Sequence, residues 1–135
     1  MFRRSLLLVA LLALPLAART RPTSPLDPDY VAALAVANNF LHAWQTHDAE
    51  TGILLLSDPL REHSSTDAVS LFFSAHQQQT YEIARGCKLS LGRYQFPVIL
   101  WQAPNSGINP RPKPRVTTLI LTLTPKDDWL IDNLP

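Results

Sequence analysis

Residues 39–48 read Asn-Phe-Leu-His-Ala-Trp-Gln-Thr-His-Asp, and this stretch decides the fold. Its apolar side chains continue a stripe at the three- and four-residue spacing of one helix face. The stripe consists of Leu34, Ala37, Phe40, Leu41 and Trp44. Upstream, Asp27-Pro28-Asp29 is typical of a helix start, with an acidic N-cap, a proline in the first turn and a further acid near the positive end of the helix dipole. The pattern predicts an amphipathic helix from Pro28 to about Thr46.

Two shorter helices are predicted after the first one. Asp48 is placed to cap a helix from Ala49 to about Leu56, which Ser57-Asp58-Pro59 ends because proline disfavours helical geometry in the residue before it. Residues 64–66 offer hydroxyl caps for another helix, from Asp67 to about Ala75. Helices therefore occupy the first part of the domain.

Beyond the glutamines at 77–79 the apolar period changes from 3.6 to 2, which indicates β-strands. Pro97 lacks a donor and predicts an edge position or a bulge within its strand. Helices ahead of an antiparallel sheet predict an α+β domain over residues 27–135, with three N-terminal helices packed on a curved antiparallel sheet of about four strands. The predicted strands are Tyr81–Leu89, Tyr94–Trp101, Arg115–Thr124 and Trp129–Leu134.

The first 18 residues have the layout of a secretory signal peptide. Arg3 and Arg4 form a basic start, and the apolar run from Ser5 to Ala18 is shorter than the roughly 20 residues that a spanning helix needs. We expect cleavage near Ala18, export to the periplasm or the medium, and a flexible lead over residues 19–26. The mature chain would then have no stable membrane span. An uncleaved N-terminal membrane anchor is the alternative.

The stretch at 39–48, followed by Ile53-Leu54-Leu55-Leu56-Ser57 and Asp58-Pro59-Leu60-Arg61, resembles the opening of an NTF2-like domain. That superfamily has a long first helix ending in a pattern like Phe-Leu-x-Ala-Trp-x-x-x-Asp, then a short helix leading to Leu-Leu-Ser, then a curved antiparallel sheet. The resemblance implies a cone-shaped half-barrel whose helices close one side of an apolar cavity. It implies no single activity, because the superfamily includes isomerases, dehydratases, cyclases, transport factors and non-catalytic accessory domains.

The net charge of +1 conceals two halves of opposite sign. Residues 19–82 carry three basic and eight acidic side chains, whereas seven basic and three acidic side chains follow from Arg85 onward. Loss of Arg3 and Arg4 with the leader changes the net charge from +1 to −1. This balance argues against a nucleic-acid partner. It favours attraction between the two halves, with an anion-facing sheet surface as the alternative.

Metal and thiol chemistry are not indicated by the sequence. Cys87 is the single cysteine, which excludes an intramolecular disulfide and a multi-cysteine zinc site. Strand alternation predicts that Cys87 is a small buried hydrophobe. His42 and His47 lie about 140° apart on a helix and do not chelate one metal ion. We expect neither a metal nor a cofactor.

The candidate catalytic residues are one acid and two tyrosines. Proton transfer in an enclosed site requires an acid or phenol with a shifted pKa. Asp132, together with Tyr81 or Tyr94, is the combination that the predicted sheet offers.

The candidate ligand-binding residues are aromatic side chains of the predicted interior and one arginine. Strand alternation places Arg85 on the same face as the apolar residues. A charge on that face needs a partner such as Asp132 or an acidic ligand. Alternatively, Gly86 forms a bulge that turns Arg85 outward, and the aromatic side chains fill the core. The candidates are Arg85, Tyr81, Tyr94, Phe96, Trp44 and Trp129.

These observations predict an exported accessory module that binds a small apolar or acidic ligand, or a protein, and that carries no evident catalytic motif. One alternative is a small cavity enzyme that moves a proton, of the isomerase or dehydratase type. Another is a homodimeric scaffold that pairs the outer sheet face, with Ile99, Thr118 and Ile120, against a second copy.

The segment from Pro110 to Arg115 alternates proline with cations, which predicts a stiff extended loop that is either a soluble connection or a weak site for an acidic partner.

Overall fold

A computed structural model describes residues 27–74, 79–103 and 112–135. The predicted leader, the lead over residues 19–26 and residues 110 and 111 of the proline-rich segment lie outside these ranges. Within them, no helix is both long and apolar enough to cross a membrane. The helices are α1 (Pro28–Gln45), α2 (Ala49–Leu54), α3 (Asp58–His63) and α4 (Thr66–Ser74), and the strands are β1 (Gln79–Ile83), β2 (Cys87–Ser90), β3 (Arg93–Gln102), β4 (Lys113–Leu123) and β5 (Trp129–Ile131).

Helix α1 forms as the sequence predicts. Asp27 caps it, because its Oδ1 accepts a hydrogen bond of 3.0 Å from the Asp29 backbone N–H. Pro28 occupies the first turn, where its missing N–H costs nothing. The apolar stripe turns inward, and Ala37, Phe40, Leu41 and Trp44 have no exposed surface.

The segment that was predicted to end the second helix starts another one instead. Helix α2 ends at Leu54, and the additional helix α3 begins at Asp58. The Ser57 hydroxyl accepts a hydrogen bond of 3.3 Å from the Leu60 N–H, so Ser57 is an N-cap. Pro59 lies in the first turn, where helices tolerate proline.

All strand pairs of the sheet are antiparallel, in the order β1-β3-β4-β5, and β2 continues the line of β1 along β3. The register aligns Tyr94, Leu121 and Ile131 in one row. The side chains of this row are buried against α1, and so are those of every second residue along the strands from it. We call this the inner face of the sheet, and the intervening side chains form the outer face. The predicted α+β architecture, with N-terminal helices on a curved antiparallel sheet, is confirmed.

The strand predicted from Tyr81 to Leu89 is broken between β1 and β2. Ile83 pairs with Val98 and Cys87 pairs with Gln95, so this segment holds one residue more than the facing part of β3. One extra residue reverses the face to which every later side chain points. The prediction that Cys87 is buried is therefore wrong, because Cys87 is exposed.

Pro97 lies in the central strand β3 and not at an edge of the sheet. Its carbonyl accepts a hydrogen bond of 2.8 Å from the Ala84 N–H, so its ring nitrogen faces the break between β1 and β2. The missing N–H thus falls where the ladder is already interrupted, which is the predicted bulge setting. Gly86 fits this break because a Cβ there would lie 2.5 Å from Cδ1 of Phe96.

The backbone of residues 55–57 pairs with the edge strand β5. The Ile131 N–H donates to the Leu55 carbonyl and the Ser57 N–H donates to the Ile131 carbonyl, each at 2.8 Å. Leu56 and Ile131 form a parallel bridge between these two bonds. Ser57 and the start of α3 are thereby held beside the last strand.

Candidate ligand-binding site

Four of the candidate ligand-binding residues pack together in the core. Trp44, Tyr94 and Phe96 have no exposed surface, and Trp129 retains 7%. The Tyr94 and Trp129 rings meet edge to face with centroids 5.4 Å apart. The aromatic side chains therefore fill the space between α1 and the inner face of the sheet.

The hydroxyl groups of the two candidate tyrosines are engaged by α1. Tyr94 donates a hydrogen bond of 2.7 Å to Oδ2 of Asp27. Burial, together with this bond, raises the pKa of the Tyr94 phenol. Tyr81 donates to Oδ1 of Asn38 at 2.9 Å, and burial raises the pKa of Tyr81 as well. Both phenols are held as hydrogen-bond donors.

Asp132 lies on the outer face of the sheet. It follows Ile131, whose side chain is buried on the inner face, so its own side chain points the other way. Ser57 Oγ donates a hydrogen bond of 2.9 Å to its Oδ1. The guanidinium of Arg93 lies 3.3 Å from its Oδ2. The structure therefore does not bring Asp132 together with Tyr81 or Tyr94, which belong to the inner face.

Arg85 lies between β1 and β2 and is exposed. Its position agrees with the alternative in which Gly86 turns the arginine outward. The structure pairs Asp132 with Arg93. Arg85 is exposed, whereas four of the aromatic residues predicted to line a site with it are buried.

A cleft of about 760 Å³ opens beside Asp132, and we call it the outer cleft. It lies between the segment from α2 to α3 on one side and the β4–β5 turn with the ends of β3 and β5 on the other. Leu54 and Leu130 give it apolar walls. Leu54 is 67% exposed at the rim, so the apolar surface of the cleft faces solvent.

The charged residues of the outer cleft are three cations and three acids. Arg61 pairs with Asp58, and Arg93 pairs with Asp132. Lys126 and Asp128 belong to the exposed turn between β4 and β5, and the structure gives neither side chain an ion pair within the described ranges. The formal charges of these six side chains cancel, and each guanidinium carries five N–H groups, of which its ion pair uses only a part.

Of the polar residues that meet at the outer cleft, Asp132 was predicted as a site residue, whereas Ser57, Arg61 and Arg93 were not. Arg93 directly precedes the buried Tyr94, so strand alternation alone would have placed it on the outer face with Asp132. No comparable signal was available for Ser57, because its position depends on the parallel bridge between Leu56 and Ile131.

One polar group in the core has no partner. Within the described ranges, the Nε1 atom of Trp44 is buried without a hydrogen bond, which marks it as the donor that a buried water or an acceptor atom would satisfy. The same ranges contain no group of three or more His, Cys, Asp or Glu side chains suited to hold a metal ion.

No protein-family model matches the chain, and no curated protein matches it. Solved structures do. A ketosteroid isomerase-like protein from Erwinia carotovora atroseptica is 13% identical with a TM-score of 0.62, over 78% of this chain and 92% of that chain. An uncharacterized cystatin fold protein from Novosphingobium aromaticivorans is 12% identical with a TM-score of 0.53, over 77% of this chain and 98% of that one. The chain therefore has the NTF2-like fold with a curled half-barrel sheet, and the resemblance seen at residues 39–61 is confirmed at the level of the fold.

Proposed function

We propose that this protein is a non-catalytic binding module that takes a small ligand in the outer cleft. The supporting observation is that the described residues form an open cleft on the outer face of the sheet, whereas most of the aromatic candidates are packed in the core. Trp44, Tyr94 and Phe96 are packed without exposed surface, whereas the outer cleft offers about 760 Å³. Small-molecule sites are commonly about 300–1,000 Å³ and combine apolar walls with a few polar groups.

The positions of the candidate acid and tyrosines favour binding over catalysis. An isomerase or dehydratase using Asp132 with Tyr81 or Tyr94 would need these groups around one substrate. They lie on opposite faces of the sheet, and the Tyr94 hydroxyl is bonded to Asp27. Proton transfer between them is therefore the less favoured function.

Native mass spectrometry of the protein purified from an exporting host tests this proposal. We expect a non-covalent small-molecule adduct on the wild type, and its loss in Leu54→Glu, which places a charge at the rim of the outer cleft. Val31→Glu is the matched control, because Val31 is an exposed apolar residue of α1, at 51%, and does not line this cleft. A wild type without any adduct, or an adduct that Leu54→Glu retains, would argue against the outer cleft as the binding site.

A homodimeric scaffold is the second candidate. Val116 pairs with Ile99 on the outer face and is 75% exposed, and Thr118 and Ile120 follow on the same face. Exposed apolar surface of this kind is typical of an interface. In sedimentation velocity over a range of protein concentrations, a dimer that Val116→Lys abolishes would support this function, and a monomer at every concentration would exclude it.

A further inference from the structure

Arg93 of the outer cleft keeps hydrogen-bond donors that no described ion pair uses. Both carboxylate oxygens of Asp132 are occupied, Oδ1 by Ser57 and Oδ2 by Arg93. Within the described ranges, the only ion-pair partner of the Arg93 guanidinium is that one oxygen. Since a guanidinium has five N–H groups and no acceptor, Arg93 keeps donors for another anion.

Two further cations of the outer cleft also keep N–H donors that no described ion pair uses. Arg61 pairs with one oxygen of Asp58 and likewise keeps donors, and its side chain is 40% exposed. Lys126 adds an ammonium group to which the described part of the chain gives no ion pair. A ligand that enters the cleft meets available donors on three cations.

We propose that the outer cleft binds a small organic acid, with the ligand carboxylate on Arg93 and its apolar part against Leu54 and Leu130. This inference rests on the proposed function and names its ligand class. A carboxylate accepts two parallel N–H bonds from a guanidinium, and this planar geometry matches the donors that Arg93 keeps. Leucines on facing walls of the cleft provide the surface for a short hydrocarbon chain.

Octanoate is the probe for this proposal, and 1-octanol is its uncharged counterpart of the same chain length. Titration calorimetry of the folded protein at low ionic strength should show octanoate binding at least about tenfold more tightly than 1-octanol. Arg93→Met should weaken octanoate binding by about tenfold or more, the range that loss of a charge-assisted hydrogen bond implies. Lys113→Met is the control, because Lys113 begins β4 outside the cleft and is exposed.

A second variant keeps the test valid if Arg93→Met unfolds. Asp128 is an exposed acid of the cleft without an ion pair in the described ranges, so Asp128→Asn leaves every described ion pair in place. It removes repulsion toward a bound carboxylate and should tighten octanoate binding, with the gain shrinking as salt is added.

The outcomes separate this inference from the proposed function. Equal binding of 1-octanol and octanoate, equal losses in Arg93→Met and Lys113→Met, or no octanoate binding together with no effect of Asp128→Asn would each overturn carboxylate recognition. A retained adduct of another chemical class would then still support the binding module. If octanoate does not bind and the exported protein carries no adduct, both proposals fail.

Discussion

Tyr94 and Asp27 connect the central strand of the sheet to the start of α1. The Asp27 carboxylate accepts from the Tyr94 hydroxyl at 2.7 Å and from the Asp29 N–H at 3.0 Å. The Tyr94 bond is the main reason that the pKa of Asp27 is lowered. Because the folded state favours the ionised acid, the contribution of Asp27 to stability is present above its ordinary pKa and is lost as the pH falls through the lowered value.

Tyr94→Phe tests this pair. The variant should be less stable than the wild type at pH 7, and its stability should fall less between pH 7 and pH 3, because the pKa of Asp27 returns toward its ordinary value. The measurement is urea unfolding at both pH values. Tyr81→Phe is the matched control, since the Tyr81 hydroxyl donates to the neutral Asn38 amide. Identical acid sensitivity in wild type and Tyr94→Phe would contradict the assignment.

The hydrogen bond between Tyr94 and Asp27 also predicts how the stability of the fold changes at alkaline pH. Burial and the Asp27 partner raise the pKa of Tyr94, so the fold favours the neutral phenol. The resulting stability is fully present below the ordinary pKa of about 10 and is lost as the pH rises above it. The same urea series, extended from pH 9 to pH 11.5, should therefore show a smaller loss for Tyr94→Phe than for the wild type.

For single residues, the sequence predicts correctly whether a side chain is buried only where the helix or strand continues without an inserted residue. Phe40 and Trp44 were placed correctly in the core because helical spacing carries through α1 without interruption. Cys87 was misplaced because one extra residue between β1 and β2 inverts the alternation. Gly86 is the local signal of such a bulge, and the alternative in which it turns Arg85 outward agrees with the structure, whereas the prediction for Cys87 followed uninterrupted alternation.

The break between β1 and β2 is the feature of the elements that most constrains the sequence. A Cβ on residue 86 would lie 2.5 Å from Phe96 Cδ1 and 2.7 Å from the Gln95 carbonyl oxygen, and Phe96 is fully buried. Neither neighbour has room to move, because one is a core ring and the other is backbone of the central strand.

Gly86→Ala should therefore lower the free energy of unfolding by about 1–3 kcal/mol, the usual cost of overpacking. Chemical denaturation measures the change, and Ser90→Ala on the exposed part of β2 is the control with an unchanged midpoint. Combining Gly86→Ala with Phe96→Leu should cost less than the sum of the single changes, since the smaller side chain makes room. Strict additivity would show that the contact is not the cause.

The elements themselves were predicted to different degrees. Helix α1 and strand β3 carry long, uninterrupted patterns, and both were predicted nearly to their ends. Helix α3 was missed because Ser57-Asp58-Pro59 is compatible with either the end or the start of a helix. In the structure the Ser57 hydroxyl caps the start of α3. The position of Ser57 depends on a backbone hydrogen bond to Ile131, which is far away in the sequence. The outer cleft depends on the same long-range contact.

Across the whole molecule, the opposite charges of the two halves are not joined by the ion pairs of the outer cleft. Arg61 and Asp58 both belong to the acidic half, and Arg93 and Asp132 both belong to the basic half. Because the six charges that line the outer cleft cancel, a preference for an acidic ligand depends on the available N–H donors of Arg61, Arg93 and Lys126 and not on the net charge of the sheet half.

Export is the prediction that concerns the complete chain. The apolar run from Ser5 to Ala18 is too short to span a bilayer, so we propose that it is a signal peptide removed near Ala18. Asp27 caps α1 and accepts a hydrogen bond from Tyr94, and it lies beyond residue 18, so removal of residues 1–18 leaves those contacts in place. Intact-mass analysis of periplasmic and membrane fractions from a bacterial host should find a chain that begins at Arg19.

A variant with Leu8→Arg and Leu11→Arg interrupts the apolar run without touching the folded domain, and it is the control for that export experiment. It should remain uncleaved in the cytoplasm, because charged side chains at the centre of the run oppose insertion into the translocating membrane. Full-length wild-type protein in the membrane fraction would instead identify residues 1–18 as an anchor. The binding module would then work at the membrane surface, where its ligand would have to reach a cleft tethered by residues 19–26.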